Sequence, residues 1–249
     1  MSSRRWRARH RPLPDTAGAT IRLDRDESHH VHRVLRLGRG ASLGVFDGLG
    51  LEWDGVIDGI DDGIVVVRLV RRLDEVVEPP VELVLFQTVC RNERMEWVIQ
   101  KTTELGIAAI RPISAERAEA RPPTAARVAR WRRIALEAAK QCGRRTVPGI
   151  EPADALAAPA AGVLPLLFDT GRDCRPLAER LVPLPDGPVW LAVGPESGFS
   201  ADEHCRHVGE GWLPTGLGPR TLRAETAGIV AAAIVLHLCG DLGRASDAG

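Results

Sequence analysis

From Val81 onward, short apolar runs alternate with amphipathic stretches, and this alternation constrains the fold more than any other feature of the chain. Val81 to Val89 is almost continuously apolar, as a strand buried on both faces of a parallel sheet must be. Glu93 to Leu105 has helical character, with Gly106 placed to end it. Ile107 to Ile113 reads as a strand. Thr124 to Gly143 reads as a helix whose Val128, Trp131, Ala135, Ala138 and Cys142 share one face at spacings of three and four. Val163 to Phe168, Val189 to Val193 and Trp212 to Leu217 are further short strands. Ser200 and Glu203 form a capping-box pattern opening a helix to about Gly209, and a last helix runs from about Glu225 to Cys239. Strands and helices taking turns predict an α/β domain with a mostly parallel sheet.

Residues 1–73 are patterned differently. An arginine-rich start (Arg4, Arg5, Arg7, Arg9, Arg11) precedes a short helical stretch around Glu27 to Leu37. Strand-like runs follow at Ser42–Phe46, Leu51–Ile57 and Ile64–Val70, separated by Asp47-Gly48, Gly50 and Asp62-Gly63. This predicts a small β-rich barrel or sandwich. Residues 74–80 end in Glu78-Pro79-Pro80 and read as a linker, because consecutive prolines stop both helix and sheet. The expected division is 1–73, 74–80 and 81–249.

Composition narrows the function classes. Lys plus Arg equals Asp plus Glu, 33 each, so a uniformly basic nucleic-acid binder is excluded and any anion-binding surface has to be local. No apolar run is long enough to span a membrane, the stretch from Ala227 to Leu238 included, and no apolar core follows the basic N-terminus as a secretory signal requires. The five cysteines (Cys90, Cys142, Cys174, Cys205, Cys239) are scattered and never form a C-x-x-C pair. That pattern suits a reduced, cytoplasmic protein without a disulfide framework or a metal site. His29, His30 and His32 lack a carboxylate or cysteine at ligand spacing.

Open parallel sheets bind ligands beyond the carboxyl ends of their strands. Two loops there stand out: Gly194 to Phe199 after the strand ending at Val193, and Gly216 to Thr226 before the last helix. Both are rich in Gly and Pro, and both carry charge: Glu196 in one, Arg220, Arg223 and Glu225 in the other. They read either as ordinary tight turns or as ligand loops. No P-loop and no Rossmann glycine fingerprint is present, and Gly194-Pro-Glu-Ser-Gly198 places its serine one position too late for a hydrolase elbow. On the helix near residue 130, Arg130, Arg133, Glu137, Lys140 and Arg144 oppose the apolar stripe. They form either a solvated, ion-paired face or a phosphate-binding stripe.

Lys140-Gln-Cys-Gly-Arg144, Gly194-Pro-Glu-Ser-Gly198 and Leu217-Gly-Pro-Arg-Thr-Leu-Arg-Ala-Glu-Thr-Ala227 occur in that order. Gln100-Lys-Thr-Thr-Glu-Leu-Gly106 and His30-Val-His-Arg-Val-Leu-Arg36 lie upstream. Together these motifs resemble the RsmE family of 16S rRNA uridine N3-methyltransferases, in the SPOUT superfamily, over nearly the whole chain. The resemblance implies an N-terminal PUA-like RNA-binding barrel and a C-terminal α/β domain with a deep trefoil knot, a rare exception to unknotted topology. It also implies S-adenosylmethionine as cofactor, a homodimer, and 16S rRNA within the small ribosomal subunit as substrate. The cofactor would be held by the loop after Phe168 and by Leu191, Val193, Gly194, Pro195, Glu196, Gly198, Leu217, Gly218, Leu222 and Thr226. Arg144, with Arg220 or Arg223 and aided by the other subunit, would stabilise charge on the uracil ring, and Glu196 or Glu225 would take its proton or orient an arginine. Arg4, Arg5, Arg7, Arg33, Arg130 and Arg133 would meet RNA. One departure stands out: the family loop reads GPEGG, and Ser197 occupies its first terminal glycine, a strained choice if that position needs a positive φ. Two other readings compete, a ribose 2′-O-methyltransferase of the same superfamily and a non-catalytic ribosome-assembly factor.

Overall fold

A computed structural model describes residues 6–75, 77–91, 93–118, 120–168 and 174–243. The chain forms two compact units: 1–78 together with 139–147, and 79–138 together with 148–249. The first unit thus gains a segment from far along the sequence, which the sequence pattern places wholly in the second.

The first unit is built on a five-stranded mixed sheet of β1 (Arg7–Arg9), β2 (Thr20–Arg22), β3 (Ser42–Phe46), β4 (Glu52–Asp61) and β5 (Ile64–Arg72). The strand order is β1-β3-β4-β5-β2, with β1 parallel to β3 and the other pairs antiparallel. Inward-facing Leu43, Val45, Ile57, Val65, Val67 and Leu69 pack with Ala8, Ile21 and Val31 into one core. The helix expected over Glu27 to Leu37 is shorter and irregular. Helix α1 (Arg25–His29) is capped by Asp24, whose Oδ1 accepts from the Glu27 N–H at 2.8 Å, and it continues as one π-helical turn, His30–Val34.

Residues 139–147 belong here because buried charge ties them in. Arg7 donates to the carbonyls of Ala139 (2.9 Å) and Arg144 (2.8 Å) and to both carboxylate oxygens of Glu52. Lys140 donates to Glu27 at 2.5 Å, with both side chains under a tenth exposed. Burial raises the Glu27 pKa, and Lys140 opposes that shift. Lys140 therefore has no place on a solvated stripe. Cys142, expected on the apolar face, is exposed.

The second unit holds an all-parallel seven-stranded sheet. Its elements are β6 (Leu83–Thr88), α2 (Glu93–Leu105), β7 (Ala109–Ile113), α3 (Ala125–Cys142, whose last turn joins the first unit), β8 (Gly149–Ile150), β9 (Leu164–Phe168), β10 (Arg175–Pro176), α4 (Leu177–Arg180), β11 (Val189–Val193), α5 (Ala201–Gly209), β12 (Leu213–Gly216) and α6 (Ala224–Leu238). The strand order is β10-β12-β9-β11-β6-β7-β8. Every residue of β6 is buried, in keeping with a central parallel strand. Helix α2 ends where expected: Gly106 has φ +113°, and a Cβ there would lie 2.4 Å from the Pro79 ring. Ser200 and Glu203 form the reciprocal capping box at the start of α5.

Candidate cofactor and acceptor site

The strand order fixes where a ligand can sit. From β6 the chain moves outward through β7 to β8, then returns on the far side of β6 through β9 and β11. Loops leaving the carboxyl ends at such a reversal diverge and leave a crevice. A cavity of about 350 Å³ lies there, at the ends of β9, β11 and β12. Of the residues expected to hold the cofactor, Phe168, Val193, Gly194, Pro195, Glu196, Gly198, Leu217, Gly218 and Leu222 line it. Leu191 lies buried within β11, and Thr226 is exposed on α6; neither forms the wall. The loop after Phe168 lies outside the described residues.

The walls suit an adenosyl group joined to a charged tail. Phe168, Val193, Leu217 and Leu222 give apolar surface for a base, and Glu196 gives a negative rim. Among the described residues, no hydrogen bond engages the peptide groups from Gly218 to Leu222, so these donors and acceptors are open to a ligand. At Gly194 a Cβ would lie 3.0 Å from the Phe199 ring, so a larger residue there would require the ring to give way by a few tenths of an ångström.

Ser197 carries no strain. The positive φ in this loop belongs to Gly198 (+73°), and among the described residues the left-handed non-glycine positions are Arg36 and Asp62. The Ser197 hydroxyl donates to the Arg117 carbonyl at 3.3 Å and ties the loop to the chain beyond β7. The expected conformational cost of serine does not arise.

Arg220 lines the cavity and is exposed. Arg223 is exposed at the N-cap of α6. Glu225, in the first turn of α6, is largely buried; its Oε2 has no hydrogen-bond partner and its Oε1 lies 3.7 Å from Arg94 Nε. Arg144 departs from expectation. It belongs to the first unit, 5% exposed, and its Nε and NH2 donate to one oxygen of Glu78 at 2.9 and 2.8 Å, with Thr146 Oγ1 at 2.9 Å. Glu78 also accepts from the backbone N–H groups of Arg145 and Thr146, both at 3.0 Å. Within the first unit this guanidinium is held by Glu78 and Thr146.

The proposed RNA-facing arginines divide in the same way. Arg7 is 7% exposed, paired with Glu52, with its guanidinium 4.3 Å from the Phe46 ring centroid, so it is a core residue. Arg33 and Arg133 are exposed. Arg130 is exposed but forms a two-pronged pair with Glu96, 2.8 Å at each contact. Arg4 and Arg5 lie outside the described residues.

Sequence reasoning missed Arg94, at the start of α2. It bonds Glu196, which lies 102 residues away, and approaches Glu225. With Thr88, Cys90, Arg91 and Arg117 it lines a second cavity of about 340 Å³ that shares Pro195, Glu196, Ser197 and Ala224 with the first.

Two family models match the chain: an RNA methyltransferase domain over residues 77–236 and an RNA methyltransferase PUA domain over 23–70. The parallel-sheet unit with its cavity and the small β unit thus define an RNA methyltransferase of two domains. The ribosomal RNA small subunit methyltransferase E of Mycobacterium bovis is 33% identical over 88% of this chain and 86% of its own. Among solved structures, a putative methyltransferase of Legionella pneumophila in complex with bound S-adenosylmethionine has a TM-score of 0.85 at 32% identity, covering 95% of this chain and 98% of that one. The small subunit methyltransferase E of Neisseria gonorrhoeae, bound to S-adenosylmethionine, has a TM-score of 0.85 at 29% identity over 94% and 98%. The chain belongs to the ribosomal RNA small subunit methyltransferase E family.

Proposed function

We propose that this protein transfers the methyl group of S-adenosylmethionine to N3 of a uridine in 16S rRNA of the small ribosomal subunit. The observation that carries the reading is the 350 Å³ cavity at the ends of β9, β11 and β12, walled by the family's own loop motifs. When bound, the cofactor supplies an electrophilic methyl group whose sulfur keeps the electron pair of the broken bond. Phe168, Val193, Leu217 and Leu222 exclude water around it, and the open peptide groups from Gly218 to Leu222 orient its polar edge.

Uracil N3 carries a proton at neutral pH, so the protein has to favour its loss. As the N3–H bond breaks, negative charge spreads to the ring carbonyls, and Arg220, at the wall of the first cavity, and Arg223, at the N-cap of α6, supply positive charge on the same loop. The positive end of the 15-residue helix α6 adds to their effect. Glu225 or Glu196 receives the proton, and the ring nitrogen then forms its bond to the methyl carbon. Arg144 and Arg7 hold the first domain together. Arg33 and Arg133 meet rRNA phosphates. A homodimer acting in the cytoplasm, with a knotted chain path in the second domain, completes the reading.

Incubating the protein with methyl-labelled S-adenosylmethionine and small subunits that lack the modification tests it. Label in 16S rRNA of assembled subunits is the expected result. Tight cofactor binding without label in any 16S rRNA would contradict the substrate, and absence of cofactor binding would favour a non-catalytic assembly factor.

A further inference from the structure

The cofactor cavity occupies only half of the crevice. The sheet neighbours run β12-β9-β11-β6-β7, and the first cavity lies over the first three of these strands. The second lies beyond β11, at the carboxyl end of β6 and beside the chain that follows β7. The Pro195–Ser197 turn after β11 stands between them as a common wall, and Ala224, in the first turn of α6, borders both. An atom bound on the second side is therefore a neighbour of whatever fills the first.

We infer that this second cavity receives the acceptor uracil, with Arg94 and Thr88 contacting its polar edge. The inference rests on the methyltransferase reading above and adds to it the place of the acceptor base and two residues that recognise it.

Three features favour a pyrimidine over a bare phosphate. First, Arg94 is not a free cation: Glu196 and Glu225 flank it, which fixes the direction of its fork and offsets its charge. A guanidinium held in this way suits a neutral carbonyl that becomes negative during reaction. Second, Thr88 is 2% exposed, lines the cavity and has a buried hydroxyl with no hydrogen-bond partner. Leaving such a group unpaired is costly, and a base carbonyl or imide edge satisfies it. Third, Cys90 offers no competing covalent chemistry. Burial, and then the charges of Glu225 and Glu196, push its thiol up to about 12 against Arg94 and Arg127. A neutral thiol does not add to a pyrimidine ring, so the site is suited to direct attack by a ring nitrogen. Helix α6 points its N-terminus at the junction, where the ring charge develops.

The test uses the full-length protein and its Arg94→Ala, Arg94→Lys and Thr88→Val variants. Cofactor affinity is measured by calorimetry, and single-turnover methyl transfer to small subunits is followed across pH. Arg94→Ala is expected to bind S-adenosylmethionine within about twofold of wild type and to lose about 100-fold in rate, the scale set by removing a charge-stabilising donor. Its rate should climb with pH where the wild type is level, because deprotonation of the ring is no longer assisted. Arg94→Lys should recover part of the loss, and Thr88→Val should show a smaller loss with unchanged cofactor binding. Wild-type rates in both Arg94→Ala and Thr88→Val would overturn the inference while leaving the methyltransferase reading intact. So would a fall in cofactor affinity that matches the fall in rate, since the second cavity would then belong to the cofactor. No N3-methyluridine from the wild type itself would overturn the reading and the inference together.

Discussion

Arg7 and Glu52 face each other inside the first domain as a two-pronged ion pair, Nε to Oε1 at 2.8 Å and NH2 to Oε2 at 3.0 Å, with side chains only 5% exposed. Arg145 lies 3.3 Å from the second oxygen of Glu52, so one carboxylate serves two buried cations. Removing one partner from such a cluster leaves uncompensated buried charge. Glu52→Ala should therefore destabilise the first domain by about 3–5 kcal/mol in chemical denaturation. An unchanged denaturation midpoint would show that the pair does not contribute to stability.

The Glu78 carboxyl gives folding a definite pH dependence. Burial raises its pKa, but hydrogen bonds from Thr146 and Arg144, and the charge of Arg144, outweigh burial and hold it below the ordinary glutamate value. A depressed carboxyl stabilises the fold above its unfolded pKa, about 4.3, and that stability is lost as pH falls through the folded value. Acid titration of stability should fall less steeply in Glu78→Gln than in wild type below about pH 4.3. Parallel curves would remove Glu78 from the acid response.

The five cysteines should separate by reactivity. Cys90, pushed up to about 12, is thiolate to only about one part in ten thousand at pH 8, whereas Cys142 and Cys205 are exposed. Alkylation with iodoacetamide, mapped by mass spectrometry, should mark Cys142 and Cys205 first and Cys90 far later. Early labelling of Cys90 would contradict its buried, carboxylate-flanked setting.

Two loop positions that look alike in sequence should respond differently. Ser197→Gly should change cofactor affinity by less than about twofold, because serine incurs no left-handed penalty there. Gly198→Ala forces a side chain into φ +73°, which costs on the order of 1 kcal/mol and should weaken binding by several fold. Calorimetry on the two variants decides the matter, and a tighter-binding Ser197→Gly would restore the strain argument.

Exposed and paired arginines should contribute unequally to ribosome binding. Taking away one phosphate-binding cation reduces the slope of log affinity against log salt by somewhat under 1. Arg33→Ala and Arg133→Ala should reduce that slope, whereas Arg130→Ala should change it less because Glu96 already holds its guanidinium. Affinity indifferent to salt would remove the phosphate-binding account.

What the sequence makes legible follows the range of the forces involved. Helix α2, strands β3 and β11, and the Ser200 capping box depend on local periodicity and capping, and the structure has them at the expected residues. Strands β1 and β2 are three residues each and exist through pairing with β3 and β5, so an arginine-rich run reads as a polar arm until its partners are known. Polarity alone does not separate Arg144 from Arg220. Both follow a glycine or proline near an element end, but one meets Glu78 across 66 residues and the other meets open space at a cavity. The cofactor loops are legible because glycine, proline and strand ends mark them locally. Arg94 is not, because its two carboxylate partners, one in a loop and one in the first turn of α6, lie 102 and 131 residues further on.

The most direct test is to digest 16S rRNA from the labelled small subunits to nucleosides and identify which nucleoside carries the methyl group. The account predicts label in N3-methyluridine alone. Label in a 2′-O-methylnucleoside, or in any base methylated elsewhere, would contradict it.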